Sequence, residues 1–206
     1  MRASPESPRM FESDLLDFFS RVPAIVGPLI YVPAILAALA WGWALGVSPG
    51  VLALQGFAGL TTWTLMEYWL HRTLFHWIPT ASWGERFHFY LHGVHHKWHQ
   101  DRYRLVMPPA ASIAIALVVF AVLTAASFVL ASVVDPSWTR ATFAGIMAGY
   151  LIYDMAHYAL HHIKPRTAIG QKLRHHHMAH HHNAAFKEKK FGVSTTLWDH
   201  IFGTYQ

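Results

Sequence analysis

A chain of 206 residues that is 53% hydrophobic and only 13% charged is one domain by length and too apolar for an ordinary soluble globule. It contains no cysteine, which excludes disulfides, thiolate metal sites and iron–sulfur clusters, so any metal must be held by nitrogen and oxygen. The formal net charge of +5 does not read as a nucleic-acid footprint, because the basic residues form no patch interleaved with aromatics; a membrane face accounts for them better.

The N-terminal stretch MRASPESPRMFESDLLDFF is polar and then mildly amphipathic. It lacks the apolar core and small-residue cleavage site of a signal peptide, so no cleavage is expected. Residues 1–10 are expected to be disordered and Phe11 to Phe19 to form a short helix on the membrane surface, with a mobile tail throughout as the alternative. Four apolar segments follow, each long enough, or nearly so, for the ~20 residues that cross a bilayer as a helix. The first runs from about Leu29 to Leu45, and Ser48-Pro49-Gly50 reads as a tight turn. The second, Val51 to Leu70, carries Glu67 and delivers His71 and His76. The third, Ala110 to Val134, has 25 residues without a charge, and Asp135-Pro136-Ser137 turns the chain back. The fourth, Thr139 to about His162, contains Asp154, His157 and His161.

Of the 16 Lys and Arg, only Arg140 falls in a short connection at 46–50 or 135–140. The other 15 lie in the N-terminal region, the 71–109 loop and the C-terminal tail, which the positive-inside rule places in the cytoplasm. Both termini then lie inside, as four crossings require. The expected fold is an all-α membrane protein: four transmembrane helices in two hairpins, with a cytoplasmic helical cap holding a dimetal histidine site. Residues 1–28 read as an N-terminal cytoplasmic segment and residues 29–206 as the integral-membrane domain. A soluble protein with very apolar core helices is the alternative, and the chargeless 25-residue run argues against it.

The 17 histidines carry the chemistry. His92, His95 and His96 form an H-x2-H-H unit, and on a helix positions i, i+3 and i+4 share a face, so the three imidazoles are expected to converge on one point. Within HHHMAHHH (175–182) the same register recurs at His177, His180 and His181, leaving His175, His176 and His182 as outer or solvent-facing residues. His157 and His161 are i, i+4 on the fourth helix, with Asp154 one turn earlier. Asp154 is read as orienting His157 rather than ligating, and it and Tyr153 are the candidate catalytic residues beside the ligands. His71 and His76 stand five apart, ~140° around a regular helix, and share a face only if the helix ends or bends there. Glu67, one turn before His71, is expected to accept that ring's second N–H; a Glu reaching to water at the lipid interface is the alternative. Two metals with about five nitrogens each would use these ten histidines, whereas a single centre would leave most idle. Arg102 and Arg104 can grip a carboxylate or other headgroup, and Tyr103, Met107 and the Pro108-Pro109 break can shape an entrance beside them or simply cap the third helix. Membrane-surface anchoring is the other reading of the arginines.

With these residues in view, the chain resembles the fatty acid hydroxylase (sterol desaturase-like) superfamily. The boxes H-x4-H, H-x2-H-H, H-x3-H and H-x2-H-H match in order over roughly residues 63–206. DRYRLVMPP (101–109) and FGVSTTLWDHIFGT (191–204) look more specifically like the fatty acid 2-hydroxylase branch. The resemblance implies a membrane-bound, oxygen-dependent dimetal hydroxylase acting on a long acyl chain, free or within a sphingolipid-type amide, at C2. Two iron ions are the implied cofactor and O2 the cosubstrate; zinc in an isolated protein would be inactive, having no redox chemistry. No fused cytochrome b5 domain accompanies the boxes, unlike the eukaryotic pattern. With no cysteine and no flavin or haem motif visible, a separate ferredoxin or cytochrome-type donor is expected, docking near Lys187, Lys189 and Lys190; headgroup contact is the other reading of those lysines. His99-Gln100 also stands where relatives have an apolar or proline-containing pair, which bears on the entrance shape. Desaturation, or sterol or carotenoid hydroxylation, would use the same ligand set. A His-rich metal transporter fits less well, since the spans hold only Glu67 and Asp154 as acids and most histidines gather at one face. A zinc hydrolase or zinc-stabilised structural protein would not need ten nitrogen ligands.

Overall fold

The computed structural model describes residues 7–130 and 138–206, and every regular element among them is helical. The expected turn at Asp135-Pro136-Ser137, the end of the third apolar segment and residues 1–6 lie outside the described residues.

Local chemistry sets the helix starts. In α1 (Asp14–Phe19) the Ser13 hydroxyl accepts the Leu16 N–H, and Asp14 and Asp17 sit in the first turn, where the helix dipole favours negative charge. α2 spans Val26–Ala44. α3 spans Pro49–Trp69, and here the structure corrects the expected turn. The chain reverses just before it, where Gly46 adopts a left-handed φ of 84°, and Ser48 Oγ caps the Val51 N–H. Pro49 then opens the helix, a position where its missing N–H costs nothing. α3 passes into a π turn over Leu70–Phe75. α4 (Gly84–His88) leads through a second π turn, Phe89–Gly93, into α5 (Val94–Lys97). α6 (Pro109–Val129), α7 (Trp138–His162), α8 (Ala168–His182) and α9 (Leu197–Ile201) complete the chain.

The chain forms two compact units. The second comprises Ile25–Thr64 and Pro109–Ile152. Its α3 and α7 segments approach through glycines: a Cβ on Gly59 would stand 2.0 Å from the Thr142 carbonyl oxygen, and one on Gly145 2.0 Å from that of Gly56. Such small-residue contact lets backbones touch where lipid offers no hydrophobic drive for association. α2 and α6 are long and apolar enough to cross a membrane, with mean hydropathy 1.6 and 2.5, yet only 11% of either span is buried. Core helices of a soluble protein would be covered; these turn Leu29, Leu36, Leu117, Val118 and Val122 outward.

The first unit comprises Met1–Ala24, Leu65–Pro108 and Tyr153–Gln206. Its N-terminal segment departs from the expected disorder from Ser7 onward. Asp17, Arg21, Asp101 and Arg104 are all buried and form one ion-pair network: Arg21 to Asp17 at 2.5 Å, Arg104 to Asp17 at 3.3 Å and to Asp101 at 3.1 Å. Ser7 Oγ joins it, donating to Asp101 at 2.8 Å. Burial pushes the Asp17 carboxyl up, but the Met10 N–H and the Arg21 guanidinium outweigh this and hold it at about 2. The outward face of α1 carries Leu15, Leu16, Phe18 and Phe19, each more than half exposed, as a surface helix at a membrane would.

Candidate metal centre

All ten histidines singled out by spacing converge in the first unit, in two clusters of five. His71, His76, His92, His96 and His180 form one, and His95, His157, His161, His177 and His181 the other; within each, the candidate donor atoms lie within 4.8 Å of one another.

The partition corrects the expectation that each H-x2-H-H unit converges on one point. Across the second π turn and α5 the i, i+4 pair His92/His96 joins the first cluster and His95 the second. In α8 the i, i+4 pair His177/His181 joins the second cluster and His180 the first. Adjacent helical residues are ~100° apart, so neighbours such as His95 and His96 point to different centres. Each helix therefore serves both clusters, and their rings meet where His96 and His181 lie 4.3 Å apart. The π turn at Leu70–Phe75 resolves the five-residue spacing of His71 and His76. It closes i→i+5, which brings residues five apart near register and sets these rings 5.1 Å apart.

Ring nitrogens define the geometry. In the first cluster the Nε2–Nε2 separations are 3.2 Å for His71–His92, 3.0 Å for His92–His96 and 3.1 Å for His76–His180. In the second they are 2.9 Å for His95–His157 and His95–His181, 2.8 Å for His161–His177 and 3.1 Å for His177–His181. Nitrogens bound at right angles to an ion ~2.1 Å away would stand ~3.0 Å apart, so the spacing suits ligation.

Tautomers point the same way. His71 Nδ1–H donates to the Phe191 carbonyl at 2.6 Å, and His180 Nδ1–H to that of Lys189 at 2.7 Å, so each Nε2 presents a bare lone pair to its cluster. Converging lone pairs call for a cation. Burial, reinforced by neighbouring imidazoles, holds His71, His92, His95 and His177 well below the usual histidine range, His76 near 3 and His96 near 2. The rings are thus neutral at physiological pH, as ligands must be.

Glu67 does not meet His71, contrary to expectation, nor does it reach water. It is buried and accepts the backbone N–H groups of Val193 (2.7 Å) and Ser194 (2.8 Å) together with the Ser194 hydroxyl. It thereby pins the loop whose Phe191 carbonyl orients His71. Asp199 holds the loop from the other side, accepting the Phe191 and Gly192 N–H groups, each at 2.8 Å, the Thr204 hydroxyl and the ring of the buried His176. Gly192 has no room for a side chain, since a Cβ there would lie 2.0 Å from the Thr195 carbonyl oxygen. Spacing arguments passed over Asp199, Gly192 and Ser194. The available signal was that Asp199 is the sole acid in FGVSTTLWDHIFGT.

A cavity of about 70 Å³ adjoins both clusters, with His92 of the first and His95 and His157 of the second in its wall. Phe75, Leu105, Val106 and Met107 give it an apolar lining, and Tyr153 and Asp154 add polar groups. Tyr153 stacks on His157 with centroids 5.7 Å apart, and Asp154 accepts the Met107 N–H at 3.4 Å. Arg104 also lines the cavity, but its guanidinium is committed to Asp101 and Asp17, which corrects its reading as a free grip for a headgroup. Arg102 and Tyr103 are exposed, outside that lining.

The Fatty acid hydroxylase family model matches residues 56–204, which hold all ten histidines. The chain belongs to the fatty acid hydroxylase family. Members of this family are oxidoreductases, and the chain is accordingly a hydroxylase. Its relatives include the dihydroceramide fatty acyl 2-hydroxylase FAH2 of Arabidopsis thaliana, 37% identical over 97% of this chain and 80% of that protein. The ceramide very long chain fatty acid hydroxylase SCS7 of Saccharomyces cerevisiae is 41% identical over 71% of this chain and 36% of its own length. Human fatty acid 2-hydroxylase is 33% identical over 95% of this chain and 56% of its own length. The solved structure of full-length scs7p, in which only the hydroxylase domain is visible, superposes with a TM-score of 0.87 at 31% identity, covering 100% of this chain and 73% of that one.

Proposed function

We propose that this hydroxylase is an integral-membrane dimetal enzyme that places a hydroxyl group on C2 of a long acyl chain carried by a ceramide-type amide or a free acid. One observation carries the reading: two five-histidine clusters wall a single cavity that is otherwise mostly apolar. The named activities of the Arabidopsis, yeast and human relatives support the acyl substrate and the C2 position.

His71, His76, His92, His96 and His180 would hold one iron ion, and His95, His157, His161, His177 and His181 the other. When bound, the pair supplies the activation of O2, with one oxygen atom ending in the product and the other in water at the expense of two electrons and two protons. The chain's own residues position the substrate. Phe75, Leu105, Val106 and Met107 exclude water and hold the acyl methylenes, while Tyr153 and Asp154 face the carbonyl end beside His157. The Phe191 and Lys189 carbonyls fix the tautomers of His71 and His180.

The electrons come from a separate ferredoxin or cytochrome-type donor. Lys187, Lys189 and Lys190 belong to the segment whose Lys189 carbonyl holds His180, which makes this basic face the proposed docking site. In the membrane, α2, α3, α6 and α7 form two hairpins, with the histidines and both termini on the Lys/Arg-rich cytoplasmic side. Lipid mass spectrometry of expressing cells tests the proposal against a His96→Ala control. A gain of one oxygen on acyl chains, absent from the control, is the expected result. Loss of two hydrogens instead would make the protein a desaturase on the same scaffold.

A further inference from the structure

The membrane-apolar second unit contains a cavity of about 420 Å³ remote from the histidine chemistry in sequence, and it has a charged end. Ala34, Ala37 and Ala38 on α2 and Ala116 on α6 open a groove against Phe143 and Met147 of α7. Arg140, in the first turn of α7, stands in its wall with Trp41, the guanidinium 4.4 Å from the indole centroid. Arg140 is the only Lys or Arg in residues 25–64 and 109–152. Its Nε is buried and, among the described residues, has no hydrogen-bond partner.

A guanidinium in apolar surroundings is costly unless an anion accepts its donors. Cation–π contact with Trp41 offsets part of the charge but leaves the buried Nε–H to be satisfied. The groove supplies the other half of an amphiphile's needs. Along α2 it runs from Ile30 to Trp41, 11 residues or ~16 Å, which is about half the ~30 Å hydrocarbon core and so the depth of one leaflet. The alanines make room for a chain where larger side chains would fill the space. We propose that this groove is a binding site for one anionic phospholipid, its acyl chain against the alanines and its phosphate on Arg140. The groove shares no lining residue with the cavity beside the histidines, so the site is structural or regulatory and not a subsite for substrate.

The inference rests on the membrane reading of this unit, and the test separates the two. The full chain is extracted in mild detergent, exchanged into equimolar phosphatidylglycerol and phosphatidylcholine of identical chains, and examined by native mass spectrometry. The wild type should retain one phosphatidylglycerol with about tenfold preference, because phosphatidylcholine carries the same phosphate but its trimethylammonium cancels the charge that Arg140 would balance. Arg140→Gln should bring the ratio near one, Arg140→Lys should keep part of the preference, and Ala116→Phe should lower retention of both lipids. Equal retention by the wild type, or a preference unmoved by Arg140→Gln, overturns the site. A chain that is soluble without detergent overturns the membrane reading itself.

Discussion

Replacing Glu67 by alanine tests whether a carboxylate that touches no histidine nonetheless governs the first metal cluster. The side chain satisfies the N–H groups of Val193 and Ser194 at 2.7 and 2.8 Å, and Val193 is fully buried. Without Glu67 both donors lose their acceptor, at roughly 1–3 kcal/mol each for a buried unsatisfied group, so about 2 kcal/mol is the least expected for the pair. For a chain of this size that corresponds to a fall in Tm of about 4–8 °C. The larger effect is on metal. Once the 191–194 loop is released, the Phe191 carbonyl no longer fixes the His71 tautomer, and loss of such an outer partner typically weakens metal binding by about 10–100-fold. Metal-to-protein ratios measured under graded chelator should show one ion leaving early and the other, held by His95, His157, His161, His177 and His181, leaving near the wild-type concentration. Glu67→Gln keeps one acceptor oxygen for the backbone donors and should recover most of both effects. If Glu67→Ala keeps both metals and the wild-type Tm, the coupling of loop to cluster is refuted.

Other consequences follow from the same geometry. His92→Ala and His180→Ala should each lose metal and activity, whereas His175→Ala, at an exposed position, should keep both; equal metal retention in all three by plasma mass spectrometry would sink the ligand assignment. Gly192→Ala drives a methyl to 2.0 Å from the Thr195 carbonyl oxygen and should release metal from the His71 cluster, measured by chelator competition. Arg104→Ala leaves the buried Asp101 without its cation, while Asp17 keeps Arg21, and should cost about 3–5 kcal/mol. Limited proteolysis should then cut the N-terminal segment, and resistance equal to wild type would argue against the network. The pH dependence has a definite sign. Histidines depressed in the folded state bind protons more readily when unfolded. Stability and metal retention are therefore complete above the ordinary value of 6.5 and decline as pH falls toward about 3, the value of His76. Metal release followed with a chromophoric chelator should rise as the solution is acidified, and a flat profile would contradict the neutral-ligand reading.

Residue chemistry alone singled out the ten histidines, the four apolar stretches and the family resemblance, because spacing and composition are properties of the chain by itself. Helical period was also enough to pair His157 with His161. It did not reveal that α5 and α8 each divide their histidines between two centres, because that depends on which helices face each one. The π turn that reconciles His71 with His76 likewise has no residue signature in HRTLFH. Glu67 was read as the partner of its nearest histidine in sequence, but the fold brings it a loop 126 residues away. Arg104 looked like a free cation until Asp17, 87 residues earlier, came to lie against it. The groups that orient His71 and His180 are backbone carbonyls, which every residue possesses and no motif can mark. Only tertiary structure decides which of those carbonyls, and which buried acids, end up within hydrogen-bonding reach of a ring, since such bonds form at about 3 Å between atoms the chain places far apart.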